Sequence, residues 1–453
     1  MSDSNNVGIK EGISLKPTQG YLEETVPPFT PFLAMEEAAR CLLCYNPPCS
    51  EGCPADTNPG DFIRAIRFRN FKGAAEIIRS NNILGGVCAR VCPYEKTCEA
   101  ACERSGIDKP IQIGRLQRFV TDYEKASNFQ VLDPPKATKE KVAMIGAGPA
   151  SLSAAATLAM KGYPVTIFEE KEKAGGVLSY GIVPARLPQY VVDEEVEYVT
   201  KLGVEIKLNT KVGKDISLDE IRNQGYKAIM IGAGMAISTT IDVEGMELEG
   251  VETAVEYLAK ARSNDGKSDI GKHVVVIGCG DVALDSATTA RLNNADSVTV
   301  LYRRTREEAP ANRQELEYAE SIGINFAFTF SPAVFEGENG KLKTVKANGT
   351  RNKSAMKLEA DKVIFAIGQQ PEDFSKVVEN IGIEKRNFIT SLENGTTSVP
   401  DVFVAGDIDA SAKKTVVHSV QGGKITAKSI EEYLVKVGRK QASCSPMHTK
   451  GGK

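Results

Sequence analysis

The sequence predicts an α/β protein, with two Rossmann-like doubly wound domains behind an α-helical, cysteine-rich domain. Three observations carry that reading. A short apolar strand, a glycine turn, a small-residue helix and a second strand follow one another between Lys141 and Phe168. The same order returns between His273 and Tyr302. Eight of the ten cysteines lie between Cys41 and Cys102. Two βαβ units of this kind imply two dinucleotide-binding modules.

The chain has 453 residues, more than one hydrophobic core usually organises, so two to three domains are expected. The pattern places the helical cysteine domain at 1–127 and the first Rossmann domain at 138–268 and 371–440. The second Rossmann domain is expected at 269–370 and a flexible tail at 441–453. Net charge is −3, which leaves no electrostatic footprint for nucleic acid. No apolar run is long enough to span a bilayer, so no membrane contact is expected. The polar, acidic start from Met1 to Lys10 lacks the order of a secretory signal, and a cytoplasmic location is expected. In a reducing compartment, clustered cysteines argue for metal rather than disulfides.

Residues 1–30 read as an arm. Pro59 with Asp61 opens a helix, and Phe62, Ile66, Ala74, Ile77 and Ile78 give it a patchy apolar face. Residues 128–140 read as a linker. Lys141–Ile145 is a strand, 151–161 a helix and 164–168 the next strand. The first fingerprint between them is Gly146-Ala147-Gly148-Pro149-Ala150-Ser151. Gly146 permits the turn, Gly148 admits a pyrophosphate, and the helix N-terminus favours its charge. Ser151, small like the usual third glycine, still allows close helix–strand packing. Glu169 ends the second strand, where a carboxylate accepts hydrogen bonds from a ribose.

Ala174-Gly175-Gly176 follows that strand. Far along the chain, Val402–Ala405 leads into Gly406-Asp407 and then an expected helix over 415–430. This pairing resembles two-dinucleotide-domain flavoproteins, in which the aspartate binds the flavin ribityl or pyrophosphate. The first site is therefore expected to hold FAD, and the helix dipole suits a negative charge on reduced flavin.

The second fingerprint is Gly278-Cys279-Gly280-Asp281-Val282-Ala283. Its second strand ends in Tyr302-Arg303-Arg304, without a carboxylate. Guanidinium forks match a 2′-phosphate, so NADP is favoured over NAD. Cys279 reads as a small filler. A strand ending in Gly368 resembles the one that returns the chain to the flavin domain. The three histidines are scattered, His418 reads as an ordinary helix residue, and no catalytic acid, base or nucleophile is expected.

The cysteines fall as Cys41-x2-Cys44-x4-Cys49-x3-Cys53-Pro and Cys88-x3-Cys92-Pro-x4-Cys98-x3-Cys102. The first group resembles the bacterial ferredoxin run. Zinc sites usually pair two C-x2-C knuckles, and only Cys41/Cys44 has that spacing. Iron–sulfur clusters are therefore expected, with a colourless zinc scaffold as the alternative. Cysteine counting by itself allows two all-cysteine sites that include Cys88.

Arg40-Cys41-Leu-Leu-Cys44, Pro48-Cys49, Cys53-Pro54, Asn82-Ile-Leu-Gly85, Val91-Cys92-Pro93 and Pro110-Ile-Gln-Ile-Gly114-Arg-Leu-Gln117 resemble the N-terminal part of dihydropyrimidine dehydrogenases. The resemblance covers about residues 30–435. The glutamate synthase small subunit and NADPH:ferredoxin oxidoreductase subunits share the architecture. The resemblance implies two [4Fe–4S] clusters. Cys41, Cys44, Cys49 and Cys102 would hold one. Cys53, Cys92, Cys98 and Gln117 would hold the other, leaving Cys88 a bystander. It also implies that Arg186 lies along the FAD, and that Arg303 and Arg304 hold a 2′-phosphate in NADP-using members, although bacterial members often use NAD. It further implies an electron-input subunit. Its partner would be an FMN-containing, pyrimidine-binding subunit with ferredoxin-type clusters, in a heterotetramer.

Overall fold

The computed structural model describes residues 19–267 and 269–443. The cysteine segment is helical: α1 (Pro31–Ala39), α2 (Pro48–Glu51), α3 (Pro59–Arg67), α4 (Phe71–Asn81), α5 (Gly85–Val91) and α6 (Ile113–Ala126). The single patchy helix expected after Pro59 is two helices. Arg69 takes a left-handed φ of 60°, and the Asn70 side chain accepts the Gly73 N–H at 2.9 Å, capping α4. Phe62, Ile66, Ala74 and Ile78 then face one core with Leu116 and Val120 of α6. No helix or strand interrupts residues 127–140, in keeping with the expected linker.

The first Rossmann sheet contains β1 (Lys141–Ile145), β2 (Val165–Phe168), β3 (Glu205–Lys207), β4 (Tyr226–Ile231) and, from far along the chain, β15 (Val402–Val404). Its order is β15-β4-β1-β2-β3, and the pairings are all parallel. In β1, Val142 to Ile145 are all buried, as a strand covered on both faces requires. Helices α7 (Pro149–Ala159), α8 (Val177–Tyr180), α9 (Gln189–Lys201), α10 (Leu218–Asn223) and α14 (Val416–Ser443) accompany it. The helix expected over 415–430 therefore runs on to Ser443. Three residues of the expected tail are helical, and 444–453 lie outside the described residues.

Residues 19–25, 180–188 and 238–369 form a separate compact unit; the cysteine helices share theirs with the first Rossmann sheet. The separate unit holds β6 (Val251–Thr253), α11 (Ala254–Ser263), β7 (His273–Ile277), α12 (Asp281–Leu292), β8 (Ser297–Tyr302), α13 (Arg313–Ser321), β9 (Asn325–Phe328) and β13 (Lys362–Phe365). Its parallel sheet has the order β6-β13-β7-β8-β9. An antiparallel sheet of β10 (Phe330–Glu338), β11 (Lys341–Gly349) and β12 (Ala355–Glu359) is inserted before β13. The chain passes out through β5 (Ile237–Ser238) and back through β14 (Gln369–Gln370), which pair. The expected entry at 269 is about thirty residues late. Strand β6 joins the sheet through β13, a partner more than a hundred residues away, so no local pattern reports it.

Candidate functional site

The first cradle forms where β1 ends. Gly146 has φ 88°, and a Cβ there would meet the Ala233 Cα at 2.9 Å. Both facts restrict the position to glycine. Gly148 precedes α7, Pro149 occupies its first turn, and no side chain caps it. The first-turn N–H groups are left to an anion. Gly176, also at positive φ, brings its Cβ position within 3.1 Å of the Gly148 Cα. Ala150 and Ser151 are buried, and the Ser151 hydroxyl finds no partner. Glu169 is buried at the end of β2. Its carboxylate accepts the Ala147 N–H at 2.6 Å and the Lys171 N–H at 2.9 Å. Burial raises its pKa, and those two N–H groups oppose the rise.

Strand β15 lies beside β4, which lies beside β1, so Gly406 and Asp407 reach the same carboxyl-end edge as Gly146. Gly406 has φ 79°, and a Cβ there would meet the Ala150 Cβ at 2.9 Å. The Ser419 hydroxyl donates to Asp407 at 3.1 Å. Burial raises the Asp407 pKa; that hydrogen bond and Lys414 pull it down. Close glycines, an uncapped helix and carboxylates at both ends of the edge fit a dinucleotide with two sets of hydroxyls, as FAD has. His418 shares a hydrogen bond with the Thr415 hydroxyl at 2.7 Å.

The thiols sort into two sets. Cys41, Cys44, Cys49 and Cys102 line one cavity. The Cys49 thiol is pushed up to about 12, first by burial and then by Cys102, Cys41 and Cys44. Cys92 is raised by its hydrogen bond with Cys88, by burial, and by Cys88, Cys98 and Cys53. Four thiols around one cavity, and a second set close to one another, make the soft donor set that an iron–sulfur site uses. Among the described residues no group of three metal-ligating side chains is closed onto a single point, and none of the nine described cysteines is in a disulfide. The Thr57 N–H donates to the Cys53 sulfur at 3.5 Å, an outer-shell contact of the kind that tunes a ligand. Gln117 is buried on α6 and donates its amide to the Gly85 carbonyl of α5 at 2.7 Å. The structure thus brings Gln117 against the helix of Cys88, while Cys88 itself touches Cys92.

In the separate unit, Gly278 has φ 124°, and a Cβ there would meet the Ala366 carbonyl at 2.2 Å. Gly280 precedes α12, which no side chain caps. Asp281 opens that helix and accepts the Asn312 N–H at 3.1 Å. Val282 and Cys279 pack into the core, Cys279 as the expected filler. Gly368 has φ 127°. Arg303 and Arg304 are exposed. The Thr350 hydroxyl donates to the Arg303 carbonyl at 2.7 Å and the Thr329 N–H to the Arg304 carbonyl at 3.0 Å. The turn is held by its backbone, which leaves the guanidinium heads to solvent. Arg306, next along, is paired with Glu320.

Arg186 is the residue expected along the FAD. Its guanidinium pairs with Asp285 at 2.6 Å and with Glu315, all within the separate unit. Burial raises Asp285 to about 6 and Glu315 to about 7, with Arg186 opposing both. The sequence reading also missed Arg79, Glu124 and Glu195. Arg79 donates to Glu124 at 2.7 Å and to Glu195 at 2.9 Å. Nothing in helical periodicity marks a charged residue as buried.

Residues 18–129 match the family described as dihydropyrimidine dehydrogenase domain II, 4Fe-4S cluster. Residues 140–423 match the pyridine nucleotide–disulphide oxidoreductases. The NAD-dependent dihydropyrimidine dehydrogenase subunit PreT of Escherichia coli O157:H7 is 44% identical over 92% of this chain and 98% of its own. The chain belongs to the PreT family of oxidoreductase subunits. The small chain of the NADPH glutamate synthase of Escherichia coli K12 is 31% identical over 91% of this chain and 93% of its own. Among solved structures, Mycobacterium tuberculosis FprA in complex with NADPH gives a TM-score of 0.57 at 15% identity, covering 68% of this chain and 87% of that one. Lactococcus lactis thioredoxin reductase gives 0.54 at 20% identity over 66% and 100%. These two likenesses show the α/β fold. A PreT-family chain thus carries a 4Fe-4S domain ahead of a pyridine nucleotide oxidoreductase domain. No helix among the described residues is long and apolar enough to cross a membrane.

Proposed function

We propose that this chain is the electron-input subunit of a dihydropyrimidine dehydrogenase. NAD(P)H would bind at Gly278–Val282 and FAD at the cradle of Gly146–Ser151, Gly176, Gly406 and Asp407. Bound FAD would accept a hydride, and two [4Fe–4S] clusters would carry its electrons away singly. The α7 and α12 N-termini offset pyrophosphate charge, and Glu169 and Asp407 orient hydroxyls. Cys41, Cys44, Cys49 and Cys102 hold one cluster; Cys53, Cys92, Cys98 and Gln117 hold the other. A separate subunit with FMN and ferredoxin-type clusters would reduce uracil or thymine, in a heterotetramer, in the cytoplasm.

The single observation that carries this reading is the pairing of two uncapped glycine cradles with two sets of mutually close thiols in one chain. Relatives of this chain named as subunits support a partner. The test is anaerobic purification with flavin, iron and sulfide analysis, followed by uracil reduction with the cognate FMN subunit. Full cofactor content with no uracil reduction would point to the second reading, a glutamate synthase small subunit or an NADPH:ferredoxin oxidoreductase subunit. The exposed Arg303 and Arg304 favour that reading's NADPH.

A further inference from the structure

One stretch of α14 touches three things at once. Ser419 donates to Asp407, and the Val420 carbonyl accepts from Ser153 of α7 at 2.8 Å. Gly423 lies so close to α7 that a Cβ there would meet the Ala150 carbonyl at 2.2 Å. These contacts tie the stretch to the FAD cradle. Gln421 and Lys424, three apart and so on one helix face, reach instead to the loop after Cys53. The Lys424 ammonium donates to the Ala55 carbonyl at 2.8 Å and lies 3.9 Å from Asp56. Gln421 donates to Asp56 at 3.1 Å, and its own amide oxygen is buried without a partner. The Lys424 side chain is 25% exposed, whereas that of Asp56 is 65% exposed. The lysine charge is thus the better shielded from water of the two.

We propose that Lys424 is a positioning residue that sets the reduction potential of the iron–sulfur cluster held through Cys53 while fastening the Cys53 loop to the flavin helix. The inference rests on the reading that Cys53 ligates a cluster. A cluster gains negative charge when it takes an electron. A partly buried cation beside its ligand loop favours that reduced state, because the local dielectric is well below that of water. Asp56 acts in the opposite sense, more weakly, because water screens it. The hydrogen bond to Ala55 keeps the cation fixed relative to Cys53, two residues back along the chain.

The test uses the full chain purified anaerobically, with cluster reduction followed by paramagnetic resonance and absorbance during titration with europium(II) chelates. Lys424→Gln keeps a donor for Ala55 and removes the charge. It is expected to make one cluster harder to reduce by on the order of tenfold in the reduction equilibrium, which is about 59 mV for one electron. Lys424→Arg should behave as the parent. Asp56→Asn retains a residue type that tolerates the left-handed φ of 52° found there, and should shift the same cluster the other way by less. An unchanged potential in Lys424→Gln with full iron and flavin content would overturn the assignment. So would an equal shift in Lys424→Arg, or a cluster that no reductant reduces in any of these proteins. If Lys424→Gln loses its clusters, Asp56→Asn decides, and no upward shift there overturns the assignment. Absence of iron and sulfide from the parent chain would instead sink the cluster reading beneath it.

Discussion

The two nucleotide cradles are built alike and finished differently. Each has a positive-φ glycine at the strand end and a helix that no side chain caps. At the first, the second strand ends in buried Glu169, and an edge partner brings in Asp407. At the second, it ends in exposed Arg303 and Arg304. A walled cradle suits a cofactor that stays; an open, basic one suits a cofactor that exchanges. The contrast continues in two arginines, each held by two carboxylates. Arg79 is held by Glu124 and Glu195, with all three side chains at most 6% exposed. Arg186 is held by Asp285 and Glu315 but keeps 19% exposure, and Glu315 keeps 22%. The same one-cation, two-carboxylate device is closed off from water in one unit and, at Arg186 and Glu315, partly open to it in the other.

The largest expected effect tests these two arginines. Arg79→Met leaves two carboxylates buried without their cation and should cost about 3–5 kcal/mol. Arg186→Met should cost less, because one of its two partners, Glu315, is partly exposed while Asp285 is buried. Denaturant unfolding of the two variants measures both, and equal losses would break the contrast.

Next comes the basic cradle. Arg303→Ala with Arg304→Ala should lower kcat/KM for NADPH by about 10- to 100-fold, the scale of one or two charge-assisted hydrogen bonds. NADH should be nearly unaffected. An equal loss for both nucleotides would show that these arginines do not read the 2′-phosphate.

A smaller effect follows from Glu315, pushed up to about 7, and Asp285, to about 6. Unfolded, both titrate near about 4. Between those values the folded chain holds more protons than the unfolded one. Their contribution to stability is therefore full below about 4 and is lost as pH rises through 6 and 7. Calorimetric melting between about pH 5 and 8 should show this fall, and Glu315→Gln should flatten it. A fall unchanged in Glu315→Gln would place its origin elsewhere.

The smallest effect concerns the second thiol set. Cys88→Ser should leave iron content unchanged, whereas Gln117→Ala should disturb the spectrum of one cluster. The reverse result would make Cys88 the eighth ligand, consistent with its contact to Cys92.

Much of the fold is legible in the order of residues, and for a physical reason. Strand β1 has the predicted bounds, and β7 starts at His273 and β8 ends at Tyr302 as predicted, because an apolar run followed by a glycine turn is a local signal. The helix start at Pro149 is legible to within two residues. The break at Arg69 is not, because apolar residues fall on the same core face on both sides of it.

What the amino-acid sequence determined by itself is the set of local devices: two glycine turns opening two helices, two runs of thiols, and an acid at one strand end against arginines at the other. What only tertiary structure decided is which distant residues share a place. It grouped Cys53 with Cys92 and Cys98, gave Arg186 to Asp285 and Glu315, buried Arg79 between carboxylates, and laid Lys424 on the Cys53 loop. Each of those pairings spans tens to hundreds of residues, and the free energy that selects them comes from burial and charge compensation, which periodicity along the chain does not record.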